Sequence, residues 1–402
     1  MEQFRTLEGL DVRGKRVLVR TDLNVPVDHG LVTDASRIQR HLPTLRELSN
    51  AGAKVVVLSH FGRPNGKIVR SMSLKPVAAA LADLLGTPVA FAGDCIGPGV
   101  KRSVDVMHNG DVLLLENTRF HPGEENGDRD FAKEVASIGD IFVNDAFSVA
   151  HRAHATTTTL AYLLPSAAGR SMQSELSHLH TALDDPERPL MAVVGGSKVS
   201  SKIRVLENLV RRVETLAIAG AMANTFFAAE GIGIGRSLYE PDQLDTAHYV
   251  VSLSVEAGTT LLLPVDVVVA DKLTADATTL TVKVDAIPKN AMAFDVGPRT
   301  IEAFDRRLHN TRTLVWNGPL GAFETAPFDR GTTALALLIA RRTRDGNLLS
   351  VAGGGDTIAA LNRAGVVQNF SYVSAAGGAF LEWLEGAELP GVAALGTRGV
   401  EK

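Results

Sequence analysis

The sequence predicts an α/β protein whose doubly wound parallel sheets are covered by helices. Short β-branched and apolar runs recur along the chain, and most are followed by a stretch with helical periodicity. The runs are apolar almost throughout rather than alternating, which is typical of strands buried on both faces of a parallel sheet. Strands and helices that alternate in this way predict a doubly wound architecture.

The predicted strands form two series along the chain. The first series is Arg16–Arg20, Lys54–Leu58, Val112–Leu115 and Ile141–Val143. The second series is Met191–Val194, Leu216–Ala219, Asp266–Ala270, Thr313–Trp316, Leu348–Val351 and Tyr372–Ser374. Amphipathic stretches such as His41–Ala51 and Val205–Val213 are long enough to be crossover helices.

A domain boundary is predicted at Leu183–Pro189, where two prolines and four charged residues separate the two series. The preceding segment, Ser171–Leu183, has a helical pattern, so a helix is expected to connect the halves. A length of 402 residues suits two or three domains, each with its own core.

Composition excludes several classes of protein. The net charge is −4 at pH 7, so no overall basic field attracts nucleic acid or an anionic membrane. No apolar run is long enough for a transmembrane helix, and the start of the chain lacks the pattern of a signal peptide. The single cysteine, Cys95, excludes an internal disulfide, cysteine-based zinc sites and iron–sulfur clusters. These features predict a soluble cytoplasmic protein.

Polar side chains follow each strand of the first series. They are Asp22 and Asn24, with Arg37 downstream; His60 and Arg63; Asn117 and Arg119; and Asn144, Asp145, His151, Arg152 and His154. They should converge, because open α/β sheets bind ligands beyond the carboxyl ends of their strands. Four arginines there indicate a site for a small, highly anionic metabolite, since guanidinium binds phosphate and carboxylate bidentately. The alternative is that these arginines pair with carboxylates on the surface. That interpretation is the better one for a single arginine, but not for four arginines at strand ends. His151 and His154 fit either a structural or a catalytic role.

Glycines and lysines follow the strands of the second series. Lys198 and Lys202 stand i,i+4, so a helix that begins near them would carry both on one face at its positive end, where phosphate binds. The run Gly353–Thr357 allows backbone N–H groups to approach a phosphate, and Asp356 could hold Mg²⁺. Gly377 and Gly378 open another helix, and Glu324 is available for a ribose hydroxyl. A single glycine pair would indicate only a tight turn, whereas several at successive strand ends favour nucleotide phosphates.

Familiar nucleotide and nucleophile motifs are missing from the sequence. There is no G-x-x-x-x-G-K-[ST], no protein-kinase catalytic loop and no G-x-S-x-G. The Gly231–Gly235 run lacks the spacing of a dinucleotide fingerprint. The residues therefore predict a cationic metabolite site on one domain and a nucleotide-phosphate site on the other, with phosphoryl transfer after domain closure.

The motifs together resemble the phosphoglycerate kinase family. TDLNVP, SHFGRP, LENTRF, NDAF–AHRAHA, GGSKVSSK, MANTF, LPVD, WNGPLGAFE, GGGDT and LPGVAAL occur in that family's order over nearly the whole chain. The resemblance implies a monomeric ATP:3-phospho-D-glycerate 1-phosphotransferase with two Rossmann-like domains and a helical hinge. Its partners would be 3-phosphoglycerate or 1,3-bisphosphoglycerate and ATP or ADP, with Mg²⁺ as cofactor and neither nucleic acid nor membrane.

The resemblance also implies domain bounds. The 3-phosphoglycerate domain would span residues 1–172, the hinge 173–186 and the nucleotide domain 187–387. The tail, residues 388–402, would return to the first domain.

Site residues carried over from the family's motifs form three groups. The substrate residues would be Asp22, Asn24, Arg37, His60, Arg63, Arg119 and Arg152. The nucleotide residues would be Lys198, Lys202, Gly220, Asn317, Glu324, Gly353, Gly354, Gly355, Asp356 and Thr357, with Asp356 as the Mg²⁺ ligand. The residues expected to act in catalysis are Arg37, Lys198, Lys202 and Gly377.

The sequence departs from the usual family pattern in four places. They are Ser148-Val149 for Gly-Thr, Ala219 and Ala221 around Gly220, Ser197 for Ala, and Ala375-Ala376 for Thr-Gly. Ala375 lacks the hydroxyl of the usual threonine, and Ala219 and Ala221 could crowd an adenine pocket. The sequence therefore does not determine the nucleotide affinity or the rate. Two alternatives therefore stand beside the kinase: a non-catalytic protein of the same fold, and a kinase for another small carboxylate.

Overall fold

The computed structural model describes residues 4–396. These residues divide into two compact units, residues 4–176 with 388–396 and residues 177–387. Within residues 4–396, no helix is both long enough and apolar enough to cross a membrane.

The first unit is built on a six-stranded sheet. Its strands are β1 (Arg16–Arg20), β4 (Lys54–Leu58), β5 (Val89–Ala92), β6 (Val112–Leu115), β7 (Ile141–Asn144) and β8 (Ser166–Ala168), and a short hairpin pairs β2 (Val27–Asp28) with β3 (Leu31–Val32). The order in the sheet is β5-β6-β4-β1-β7-β8, with every pair parallel. Its helices are α1 (Ser36–Asn50), α2 (Lys75–Leu85), α3 (Pro98–Asp105), α4 (Pro122–Glu125), α5 (Arg129–Ala136) and α6 (Arg170–Leu179).

Register aligns the ends of the central strands in this sheet. Arg20, the last residue of β1, pairs with Leu58 at the end of β4 and with Asn144 at the end of β7. The interior of β1 is fully buried, as expected of a central strand covered on both faces. The three loops that follow these strands therefore start at one level of the sheet edge.

The second unit contains its own parallel sheet. Its strands are β9 (Leu190–Val194), β10 (Thr215–Ile218), β11 (Thr260–Leu262), β15 (Thr313–Asn317), β16 (Leu349–Gly353) and β17 (Tyr372–Ser374), in the order β11-β10-β9-β15-β16-β17. Its helices are α7 (Ile203–Val210), α8 (Ala221–Ala229), α9 (Leu244–Ala257), α10 (Pro298–Leu308), α11 (Arg330–Arg344), α12 (Gly355–Arg363) and α13 (Gly377–Leu384). Trp316, fully buried on β15, is a centre of this core.

One predicted strand belongs to a different sheet. Asp266–Ala270 forms β12 with the predicted bounds, but it pairs antiparallel with β13 (Leu280–Lys283) and β14 (Met292–Val296). The expectation that it joins the parallel sheet is wrong. A five-residue apolar run shows that a strand is buried but not how it pairs.

The segment that joins the units is helical. Helix α6 ends at Leu179 and continues as a π-helical turn, His180–Asp184, before β9. The last described segment, with α14 (Pro390–Ala393), packs on the first unit, where Gly391 N–H donates to Ala150 O over 2.8 Å. Residues 397–402 of the predicted returning tail lie outside the described residues.

Candidate active site

Asp22 connects three elements at the strand ends of the first unit. Its Oδ2 accepts hydrogen bonds from Ser148 Oγ at 2.5 Å and from Arg37 Nη1 at 3.2 Å, and its Oδ1 accepts from the Asn24 N–H at 3.1 Å. Burial raises the pKa of Asp22, but nearby His60 and Arg37 and the Ser148 hydroxyl outweigh burial and lower it to about 2. Asp22 is therefore a carboxylate at neutral pH.

Arg20 forms the buried base of this site. Its Nε donates to Thr156 Oγ1 at 2.9 Å, and its Nη2 lies 3.2 Å from His60 Nδ1. Glu124, also fully buried, lies 3.9 Å from Arg20 Nη2 and accepts from Thr156 Oγ1 at 2.6 Å. Burial, with Arg20 adding to it, lowers the pKa of His60 well below its usual range, although the charge of Asp22 opposes this.

Four buried polar atoms of Arg119, His151 and His154 have no hydrogen-bond partner within residues 4–396. They are Arg119 Nε, which lies 3.3 Å from Glu125 Oε1 in an ion pair, Arg119 Nη2, His151 Nδ1 and His154 Nδ1. Burial and the charge of Arg20 lower the pKa of Arg119 to about 10, and burial and Arg119 lower the pKa of His154 to about 3. The group is therefore a buried cluster that contains arginines and unpartnered polar atoms, which suits an anion.

The remaining predicted substrate residues differ in their surroundings. Arg152 is half-buried, with Nε 3.3 Å from His151 Nε2, and its charge contributes to lowering the pKa of His60. Asn24 is held by Gly62 N–H, which donates to its Oδ1 at 3.0 Å. Arg63 is exposed, and within the described residues it makes no hydrogen bond or ion pair. The structure thus connects all the predicted substrate residues except Arg63 through contacts or charge.

Lys198 and Lys202 do not lie on a helix. Helix α7 begins at Ile203, so both lysines belong to the loop before it, and the expected i,i+4 helical face is wrong. Lys198 is exposed, whereas the Lys202 ammonium donates to Gly195 O at 2.7 Å and to Asn317 Oδ1 at 2.6 Å. Burial lowers the pKa of Lys202 to about 8, although Asp356 opposes this.

The glycine run after β16 makes the start of α12. Gly354 has φ +97°, and a Cβ on it would lie 2.7 Å from Asn317 Nδ2. Thr357 is buried, and its Oγ1 accepts from the Gly318 N–H at 2.7 Å. Gly355 and Asp356 are exposed in the first helical turn, with N–H groups available to an anion.

A cavity of about 340 Å³ adjoins this helix start. Gly220, Ala221, Asn224, Glu324 and Asp356 are among its lining residues. A Cβ on Gly220 would lie 2.5 Å from Gly196 O, so this position requires glycine. Of the two alanines flanking Gly220, Ala221 lines the cavity, and the structure buries Ala219 completely in the sheet core. Of these two alanines, only Ala221 can therefore crowd a ligand in the cavity, with its single methyl group.

The start of α13 is simpler than the start of α12. Gly377 is exposed at the first residue of the helix, and the Ala376 N–H donates to Ser374 Oγ at 3.2 Å. The side chain of Ser374 therefore fixes the turn that precedes Gly377.

The described residues contain one group of three potential metal ligands. It is formed by Asp94, Cys95 and His121, whose ligand atoms lie within 4.8 Å of one another. Burial and Asp94 raise the pKa of the Cys95 thiol well above its usual range, whereas metals bind the thiolate. The predicted ligand Asp356 is a single exposed carboxylate, which suits a cation held mainly by phosphates and water.

Two residues of the first site were missed from the sequence. Arg20 ends an apolar run, so it was counted as strand, although a charged residue inside a buried strand is itself a signal of a buried ion pair. Ser148 was noted only as a departure from the family, and its bond to Asp22 depends on a fold that brings residues 126 positions apart together.

Comparison with known proteins shows to which family this chain is similar. The family model described as phosphoglycerate kinase matches residues 7–387. The phosphoglycerate kinase of Chelativorans sp. (strain BNC1) is 58% identical over 396 residues, with 98% of this chain and 100% of that protein covered. The one from Rhizobium meliloti (strain 1021) is 57% identical, with 98% and 99% covered.

Solved structures give the same result for the fold. Phosphoglycerate kinase from Coxiella burnetii superposes with a TM-score of 0.91 at 43% identity, with 98% of each chain covered. The enzyme from Pyrococcus horikoshii gives 0.80 at 30% identity, with 97% and 98% covered. The predicted α/β fold with two parallel-sheet units is confirmed. The chain belongs to the phosphoglycerate kinase family of enzymes.

Proposed function

We propose that this chain transfers a phosphoryl group reversibly between 1,3-bisphosphoglycerate and Mg-ADP, with 3-phosphoglycerate and Mg-ATP as products. The reaction belongs to glycolysis and gluconeogenesis, or to the Calvin cycle. The observation that carries the proposal is the cluster of buried cationic and unpartnered polar atoms around Arg20, Arg119 and His154. A bound anion would satisfy the buried donors that lack a partner, such as Arg119 Nη2, since buried polar groups are normally hydrogen-bonded.

The first unit is proposed to bind 3-phosphoglycerate. Arginines suit its phosphate, because their planar donors bind two oxygens at once. Asp22 and Asn24 offer acceptors for the hydroxyl of the glycerate. The proposed substrate residues are Asp22, Asn24, Arg37, His60, Arg63, Arg119 and Arg152.

The second unit is proposed to bind the nucleotide. Its cavity takes the base and ribose, with Glu324 at the ribose, while the N–H groups at the start of α12 take phosphate. Lys202 reaches phosphate by exchanging one of its present acceptors, and the added negative charge raises the pKa of its ammonium. The other proposed nucleotide residues are Lys198, Gly220, Asn317, Gly353, Gly354, Gly355, Asp356 and Thr357.

In phosphoryl transfer, the protein has to stabilise negative charge and position the two reactants. The attacking group is a carboxylate, already ionised at neutral pH, so no general base is required. Arg37, Lys198, Lys202 and the N–H groups at Gly377 are proposed to stabilise charge on the group in transfer. Mg²⁺ bound with the nucleotide, near Asp356, supplies further positive charge to the phosphates. Transfer requires the two ligands to meet, so we propose that the units close during turnover.

A coupled assay tests the proposal. The protein is given 3-phosphoglycerate and Mg-ATP, and the product is reduced by glyceraldehyde-3-phosphate dehydrogenase with NADH. We expect turnover in the usual enzyme range of about 1–10³ s⁻¹. When ADP formation is measured directly, we expect no ATP turnover with acetate in place of 3-phosphoglycerate. Binding of both ligands without turnover would favour a non-catalytic protein and direct attention to Ala375. We propose that the enzyme acts as a cytoplasmic monomer, which sedimentation would test.

A further inference from the structure

A short hydrogen bond joins two strand ends in the first unit. Ser148 lies in a 3₁₀ turn, Phe147–Val149, that follows β7, and Asp22 follows the adjacent strand β1. The Ser148 hydroxyl donates to Asp22 Oδ2 at 2.5 Å, and the Asp22 side chain is only 8% exposed. This length is typical of a strong hydrogen bond to a carboxylate.

The same oxygen atom also accepts from Arg37. Arg37 Nη1 lies 3.2 Å from Asp22 Oδ2 and 3.1 Å from Asn24 O. Within residues 4–396, the Nε and Nη2 atoms of Arg37 make no hydrogen bond, and its side chain is 44% exposed. Arg37 is therefore held through one nitrogen atom, whereas an unshared carboxylate commonly binds a guanidinium through two.

We infer that Ser148 is a positioning residue for 3-phosphoglycerate, an inference that rests on the proposed function. Its hydroxyl occupies Asp22 Oδ2, which fixes the carboxylate and restricts Arg37 to a single contact with that carboxylate. The Nε and Nη2 donors of Arg37 are thereby left to the anionic substrate. Without the hydroxyl, Asp22 Oδ2 is free to draw the guanidinium closer, and Arg37 turns away from the ligand.

Affinity measurements on single variants test this role. Hydrogen bonds to charged groups contribute enough that Ser148→Ala should raise the Kd and KM for 3-phosphoglycerate about tenfold. The KM for Mg-ATP should stay within about twofold of the unaltered value. Ser148→Thr retains a hydroxyl and should restore most of the affinity.

A matched control separates positioning from stability. The Ser49 hydroxyl in the same unit donates to Gly110 O at 2.6 Å, a bond of similar length to a backbone carbonyl. Ser49→Ala should lower the thermal midpoint and leave the Kd for 3-phosphoglycerate unchanged.

A double-mutant cycle identifies the route through Asp22. In an Asp22→Asn background, Ser148→Ala should change the Kd less than about twofold. In an Arg37→Lys background, Ser148→Ala should likewise change the Kd less than about twofold. This second background replaces the first if the Asp22→Asn protein does not fold. An unchanged Kd in Ser148→Ala, or an equal effect in every background, overturns the inference alone. Failure of the unaltered protein to bind 3-phosphoglycerate overturns the proposed function and the inference with it.

Discussion

Arg20 and Glu124 form a fully buried ion pair, with Nη2 and Oε1 3.9 Å apart and the Thr156 hydroxyl bonded to both side chains. Arg20 ends β1, and Glu124 lies in α4, so the pair ties the sheet to the loops around the candidate site. Burial lowers the pKa of Arg20, whereas Glu124 raises it. Glu124 therefore compensates the buried charge of Arg20.

Glu124→Gln should destabilise the protein strongly. Removal of one partner leaves a buried charge uncompensated, which typically costs about 3–5 kcal/mol. Urea unfolding measures the loss. Glu134→Gln, at an exposed position on α5, is the matched control and should change the free energy of unfolding by less than about 0.5 kcal/mol. Equal effects of the two variants would contradict a structural role for the buried pair.

Arg152→Ala should weaken substrate binding. The charge of Arg152 acts on His60 and Arg119, so it belongs to the positive potential of the site. Calorimetry should show an increase of at least about tenfold in the Kd for 3-phosphoglycerate, as expected for loss of a charge-assisted bond. Arg102→Ala, at an exposed position on α3, should leave the Kd as it is. An unchanged Kd for Arg152→Ala would remove this residue from the site.

Lys198→Ala should lower kcat far more than it raises the KM for 3-phosphoglycerate. Lys198 is exposed in the loop before α7 and is proposed to act on charge in the transition state. A loss of about 10²–10³-fold in kcat is expected by analogy with oxyanion-hole donors. Lys272→Ala is the control, because Lys272 is an exposed lysine paired with Asp276. Parallel changes in kcat and KM would exclude the catalytic role.

Gly354→Ala and Gly355→Ala should differ, although the two residues are adjacent. Alanine at Gly354 needs a positive φ and places Cβ 2.7 Å from Asn317 Nδ2, whereas a Cβ at Gly355 meets nothing within 4 Å. The first should cost about 1–3 kcal/mol of stability and weaken ATP binding. The second should leave stability unchanged. Thermal unfolding with and without Mg-ATP distinguishes the variants, and equal behaviour would show that the strained turn is not required.

Asp295 should make stability depend on pH near neutrality. Burial raises the pKa of Asp295 from 3.8 to about 7, although the Gly331 N–H opposes this. Because the folded value exceeds the unfolded one, the stabilising contribution is complete below about pH 4 and is lost as pH rises through 7. Between pH 5 and pH 8 the loss is on the order of 2–3 kcal/mol.

Comparison of unfolding free energies at pH 5 and pH 8 tests this dependence. Asp295→Asn should be less stable at pH 5, because an amide cannot accept both backbone N–H bonds, but its stability should change less with pH. Asp242→Asn, at an exposed position, should keep the original slope. If the unfolding free energy of Asp295→Asn changed with pH as much as that of the unaltered protein does, a group other than Asp295 would be responsible for the pH dependence.

Nine of the twelve strands in the two parallel sheets were predicted, because a buried strand needs apolar residues at almost every position, whereas the short edge strands β5, β8 and β11 were missed. Thr313–Trp316 and Tyr372–Ser374 lie within or match the observed strands. The same signal could not show that Asp266–Ala270 pairs antiparallel. A strand that is buried on both faces is apolar along its length whether its neighbours run parallel or antiparallel to it. Start positions of helices were less predictable, because α7 begins at Ile203 without a side-chain cap.

The candidate site was predictable where polar residues directly follow strands, as Asp22 and Arg119 do. What could not be predicted is how these groups are held. The bond from Ser148 to Asp22 joins residues 126 positions apart, and the bond from Lys202 to Asn317 joins residues 115 positions apart. The other acceptor of Lys202, Gly195 O, precedes a glycine with a positive φ. Such contacts depend on tertiary packing, which no local pattern contains.

The packing of α14 on the first unit sets an order of events during synthesis. Gly391 N–H donates to Ala150 O, and Asn144 Nδ2 donates to Gly391 O at 3.5 Å, next to the loop that carries Ser148 and Arg152. A ribosome must therefore make the whole second unit before this part of the first unit has all its contacts. A nascent chain can complete the second unit while the first unit, although made earlier, still lacks its final segment.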